Sequence, residues 1–147
     1  MVERVLLCVL GTLGFCGVLN APKKHIVYIV LGAFISAGGY EICTSRFGLG
    51  VFSSTLISAV SVELYSEITA RAVKTPAIVI LLPCEIPLLP GGYLYYAMTS
   101  VVQRRYEQFL HYAGLTVSVA FALAMGAVVC LIVLGVIRRI KERFTRM

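Results

Sequence analysis

Apolar positions in this chain come in blocks rather than in alternation. Five blocks stand out, at residues 2–19, 26–42, 49–72, 76–98 and 113–137. Their lengths fall in the range of about 17–25 residues that carries a helix across a bilayer. Strands of that length would be exceptional, and period-2 patterning is missing. The pattern predicts an all-α, polytopic membrane protein of about five transmembrane helices. It forms a single integral-membrane domain over residues 1–147, with a basic cytoplasmic tail at 138–147.

The fourth block does not read as a plain helix. Its centre carries Pro83, Glu85, Pro87, Pro90, Gly91 and Gly92. Each proline removes a backbone N–H and crowds the preceding turn, and the glycines add backbone freedom. Inside lipid the freed carbonyls cost several kcal/mol unless protein or a water-filled path satisfies them. A break near residues 83–92 is therefore expected to be buried in protein or to line a path. Broken helices of this kind often form the substrate site of transporters.

The other blocks carry packing codes. Gly11, Gly14 and Gly17 recur along the first, and Gly32, Ser36 and Gly39 along the second. The last holds a small residue at every fourth position: Gly114, Ser118, Ala122, Gly126 and Cys130. Such a row lets another helix approach closely over roughly 24 Å, at about 1.5 Å per residue. The third block is rich in hydroxyls, which bond to their own carbonyls or across to a neighbour. It then places Glu63, Glu67 and Arg71 at i, i+4 and i+8, on one helical face. Glu67 before Arg71 is the favourable order for an ion pair, which at the helix end reads equally as an interfacial bridge or as part of a functional site. Glu63 lies a turn deeper, and Glu63, Glu67 and Arg71 are the candidates for proton coupling or a buried ion pair. A carboxyl in a low-dielectric surround resists ionisation, which suits a proton carrier. Glu41, at the end of the second block, reads as a boundary charge.

Composition agrees with the blocks. Mean hydropathy is +0.92, 59% of residues are hydrophobic and 14% are charged, far from the average soluble domain. The net charge of +6 would suit nucleic acid, but its placement does not. Five of the thirteen basic residues fall in the last ten positions, directly after an apolar block. That is the pattern of a membrane-flanking segment, and no aromatic-basic platform accompanies it. No nucleic-acid partner is expected; the bilayer is. The five cysteines lie in or beside apolar blocks without a CxxC pair, so no metal or other cofactor is expected. Two boundary histidines, His25 and His111, are a poor basis for catalysis, and no enzyme is read here. The first block has no A-x-A cleavage site and is read as a span rather than a signal peptide. With five crossings, nine basic residues fall on one side and four (Arg4, Arg46, Arg104, Arg105) on the other. The positive-inside rule then puts the N-terminus outside and the C-terminus in the cytoplasm.

The stretch SEITARAVKTPAIVILLPCEIPLLPGGYLYYAM resembles the signature region of the threonine/serine exporter (ThrE-type) family, in its small, YjjB-like half. The matching features are Glu67, Arg71, Pro76 and the turn Ile86-Pro87-Leu88-Leu89-Pro90-Gly91, together with the Leu19-Asn20-Ala21-Pro22 loop. The resemblance implies a subunit of a secondary-active exporter of small amino acids such as threonine and serine, driven by the proton motive force. It also implies a bacterial inner-membrane location and a larger ThrE-type partner subunit. Related two-subunit forms imply a dicarboxylate (succinate-type) exporter as the alternative. Where the family pattern is apolar this chain has Glu85, so no family role carries over to it. A membrane subunit that assembles or regulates a partner without transport, or a homo-oligomer built on the small-residue faces, also fits the packing codes.

Overall fold

The computed structural model describes residues 2–145, and within α6 the side chains of Arg138 and of residues 140–145 lie outside the description. Six α-helices follow one another: α1 Val2–Val18, α2 Ile26–Phe47, α3 Val51–Val73, α4 Ala77–Glu85, α5 Gly91–Val102 and α6 Tyr106–Thr145. Short 3₁₀ turns at Lys23–His25 and Ile86–Leu88 precede α2 and follow α4. Among the described residues no strand occurs.

Four residues of positive φ mark turns. Gly48 (φ +60°) caps α2 and Lys74 (φ +54°) caps α3, their N–H groups donating to the carbonyls of Cys43 and Ala70. Asn20 (φ +50°) follows α1 and Arg104 (φ +54°) separates α5 from α6. Asparagine tolerates this region better than most residues, whereas Lys74 and Arg104 hold it for the sake of the turn. The polar stretch after the fourth block is thus divided. Residues 100–102 finish α5, and α6 begins at Tyr106.

The expected blocks correspond to α1, α2, α3, the α4–α5 pair and α6. By length and apolarity two helical stretches qualify alone as membrane spans, Lys23–Phe47 and Tyr106–Ile137. The pair Ala77–Leu88 and Gly91–Val102, bent by 50°, qualifies as a third when taken together. α1, with 17 residues, is at the short limit of about 17, and the hydroxyls and charges of α3 dilute its apolarity. Two boundaries differ from expectation. α2 continues to Phe47 before Gly48 ends it, and the final helix runs unbroken through the first basic residues of the expected tail. Residues Arg146 and Met147 of that tail lie outside the described residues, as do the side chains of Arg138, Lys141 and Arg143.

α3 is the hub. It packs against α2 on one side, α6 on another and α4 on a third, while α5 leans on α6. The core gathers Ile29, Ala59, Val62, Ala70, Ile80, Cys84 and Leu88 from α2, α3, α4 and the turn after it, with Cys16 of α1. Small residues permit the close approaches. Gly32 of α2 sits directly against the Cys84 side chain, and a Cβ on Gly39 would lie 3.1 Å from Ser58 Oγ. A Cβ on Gly126 of α6 would lie 2.8 Å from the Ala59 methyl of α3.

Two expected faces are only partly covered by this chain itself. Gly114 belongs to the small-residue row of α6 but is exposed, with open space where its Cβ would be. The buried part of that row begins near half-buried Ser118 and continues through Ala122, Gly126 and Cys130. Gly11, Gly14 and Gly17 of α1 likewise face open space. α1 buries Val9, Thr12 and Cys16 instead, the stripe at helical spacing that meets α2.

Gly126→Ala places a methyl against a methyl that is fixed to the α3 backbone, so the two helices must separate. Thermal unfolding in detergent should show a loss of about 1–3 kcal/mol. Gly114→Ala, which meets nothing, should stay within about 1 kcal/mol of the parent.

Candidate functional site

The break between α4 and α5 follows from the two missing amides. Pro87 cannot donate to the Pro83 carbonyl, and that carbonyl accepts the Ile86 N–H instead. Pro90 cannot donate to the Ile86 carbonyl, which accepts the Leu89 N–H at 3.2 Å. The i+4 ladder thus tightens to i+3 over Ile86–Leu88 and then stops. α5 restarts from Pro90, whose carbonyl accepts the Leu94 N–H at 3.0 Å. The amides of Gly91, Gly92 and Tyr93 form its open first turn. Gly91 and Gly92 are exposed, and nothing stands within 4 Å of either Cβ position.

The α4 side of the break is held from α2. Ser36 Oγ, fully buried, donates to the Cys84 carbonyl at 2.7 Å. Cys84 Sγ in turn contacts the Ile29 carbonyl at 3.5 Å. Pro83 and Cys84 are both buried. Beyond the break, Tyr40, Thr55, Pro87, Leu88, Leu89, Pro90, Tyr93 and Val119 enclose a chamber of about 190 Å³. The side chains of Tyr40 and Tyr93 approach each other across it.

The acidic residues separate into two kinds. Arg71 Nη2 donates to Glu67 Oε1 at 2.8 Å, with Arg71 61% and Glu67 30% exposed. This is an i, i+4 bridge at the open end of α3. Glu63, on the same face but only 5% exposed, turns instead toward Glu85. The two carboxyls lie within interaction range of each other. Two carboxyls so placed favour a state in which they share one proton over one in which both are ionised. The backbone of α6 closes over Glu63, since a Cβ on Gly126 would lie 3.5 Å from Glu63 Oε1. Glu63 and Glu85 are thus brought together from two helices, and Glu67 and Arg71 stand apart from them.

His25, a boundary histidine by sequence, has a side chain that is 1% exposed. Its Nε2 lies 3.1 Å from Thr75 Oγ1, so the α1–α2 and α3–α4 connections are tied together. The only local signal was Pro22, which starts the 3₁₀ turn that swings His25 inward. Of the tyrosines after the break, Tyr93 lines the chamber. Tyr96 stacks on Tyr112 of α6 with centroids 5.4 Å apart. Among the described residues, no group of His, Cys, Asp and Glu side chains is arranged to hold a metal ion.

Two substitutions read out this geometry. Ser36→Ala leaves a buried carbonyl at the break without its donor and should cost about 1–3 kcal/mol in thermal unfolding. The shared proton should appear as the C=O stretch of a protonated carboxylic acid in infrared spectra. Glu63→Gln and Glu85→Gln should each remove or shift that band, while Glu67→Gln should leave it in place.

Comparison with known protein families gives one match. The sequence model of the family described as "Threonine/Serine exporter, ThrE" covers residues 4–133. Neither curated proteins nor solved structures give a match.

Proposed function

Because the chain belongs to the threonine/serine exporter (ThrE) family, we propose that it is a subunit of a secondary-active exporter of threonine and serine. Export is driven by the proton motive force across a bacterial cytoplasmic membrane. All five blocks cross that membrane, the α4–α5 pair as one broken span, with the N-terminus outside and the C-terminus inside. A larger ThrE-type subunit completes the path.

The observation that carries this reading is the position of the Glu63–Glu85 pair beside the broken helix. A close pair of carboxyls, Glu63 buried and Glu85 half-buried, is suited to gaining and losing a proton as the site turns from one side to the other. Beyond the break, the α5 first turn offers uncovered amides to a substrate carboxylate, with the dipole of the helix behind them. The carbonyls that end α4 offer acceptors for an ammonium group. Antiport follows if the pair must release its proton before the broken segment can accept the amino acid.

The test uses cells without their own exporters, loaded with a threonine-containing dipeptide. They express this chain alone and then with a ThrE-type neighbour. Threonine release is expected with the neighbour and should fall about ten- to a hundredfold in Pro90→Ala and Gly91→Leu, which reshape the break while insertion is retained. Glu63→Gln and Glu85→Gln should keep downhill release but lose its acceleration by an imposed proton gradient. Robust export by both break variants would overturn the reading. With both proteins in the membrane and no threonine or serine released, dicarboxylate flux becomes the reading to test.

A further inference from the structure

We infer that a second site, for the zwitterionic form of a free amino acid, lies between α1 and α2, with Arg4 binding the carboxylate and Glu41 the ammonium group. Its ligand class rests on the exporter reading. Its location rests on the geometry alone.

Arg4 and Glu41 line one pocket of about 200 Å³, together with Cys8, Ala37, Tyr40 and Pro87. The two charges share the pocket without pairing. Among the described residues the salt bridge is that of Arg71 with Glu67. A guanidinium and a carboxylate that face one cavity but stay beyond ion-pair distance match a ligand that carries both opposite charges a few bonds apart. The planar fork of arginine suits a carboxylate in particular. Buried Ala37 and half-buried Cys8 give the remaining wall little polar character, so small side chains are accommodated and further charges are not.

The position relates the pocket to the break. Tyr40 and Pro87 line both this pocket and the chamber at the break. The tyrosine is thus common to the walls of the two spaces. The pocket is on the α1 N-terminal side of the break, away from Lys23, Lys24 and Lys74. An amino acid leaving the chamber on that side passes Tyr40 and meets Arg4 and Glu41 next. Glu41 is therefore a binding residue rather than a boundary charge.

A phosphatidylethanolamine headgroup also carries an anion and a cation, and the test separates the two sources. The full chain is placed in nanodiscs of phosphatidylglycerol alone. It is titrated with L-threonine, threonine methyl ester and N-acetylthreonine. Wild type should prefer threonine to either derivative by about tenfold or more. Arg4→Gln should erase the preference over the ester and keep that over the N-acetyl compound; Glu41→Gln should do the reverse. The site is overturned by no binding to wild type, by preferences unchanged in both variants, by loss of both preferences in each, or by displacement of threonine when phosphatidylethanolamine is added. Release from cells judges the exporter reading separately. Selective binding without release leaves the site standing and removes the exporter. Release with both variants binding as wild type does the opposite.

Discussion

The structure depends on how two prolines are accommodated in the middle of an apolar helix. Pro87 and Pro90 withdraw the donors that the Pro83 and Ile86 carbonyls would use, and both carbonyls accept a closer amide instead. The Cys84 carbonyl is met by Ser36. An unmet backbone group at membrane depth costs several kcal/mol, so these contacts dictate where α4 sits. Ser36 reaches Cys84 only because Gly32, one turn earlier on α2, has no side chain to hold the cysteine away. Gly32 and Ser36 of α2 are thus explained by the break they cover, and Gly39 by the approach of Ser58 on α3.

The same crowding explains the treatment of charge on α3. Toward its open end Glu67 meets Arg71 in a solvent-facing bridge, worth about 0–1 kcal/mol. One turn earlier the face has rotated under α6, and among the described residues no salt bridge forms there. The acidic side chain faces a second acid from α4 rather than a cation. Two carboxyls can share such a place if a proton lies between them. Gly126 allows α6 to come close to Glu63.

Much apolar surface remains uncovered. The glycine stripe of α1, the outer faces of α5 and most of α6 meet no other part of the chain. Lipid accounts for large aliphatic side chains on such faces. The open first turn of α5, with two glycines and nothing against them, has no packing reason within the chain.

The helical blocks, the break and the small-residue rows of α2 and of the later half of α6 were legible in the sequence, because each follows from local chemistry: apolar length, missing amides, absent side chains. Glu63 and Glu85 were each visible as acids in apolar surroundings. That they face one another was not, because they lie on different helices and their meeting depends on how α4 crosses α3. The same holds for Arg4 and Glu41, 37 positions apart and joined only by the packing of α1 on α2. His25 reads in sequence only as a boundary position beside two lysines, and only the fold shows Thr75 closing over it. The glycines of α1 and Gly114 carried the same code as Gly126, but a small residue permits close approach without compelling it. Whether a neighbour arrives is decided by the tertiary arrangement.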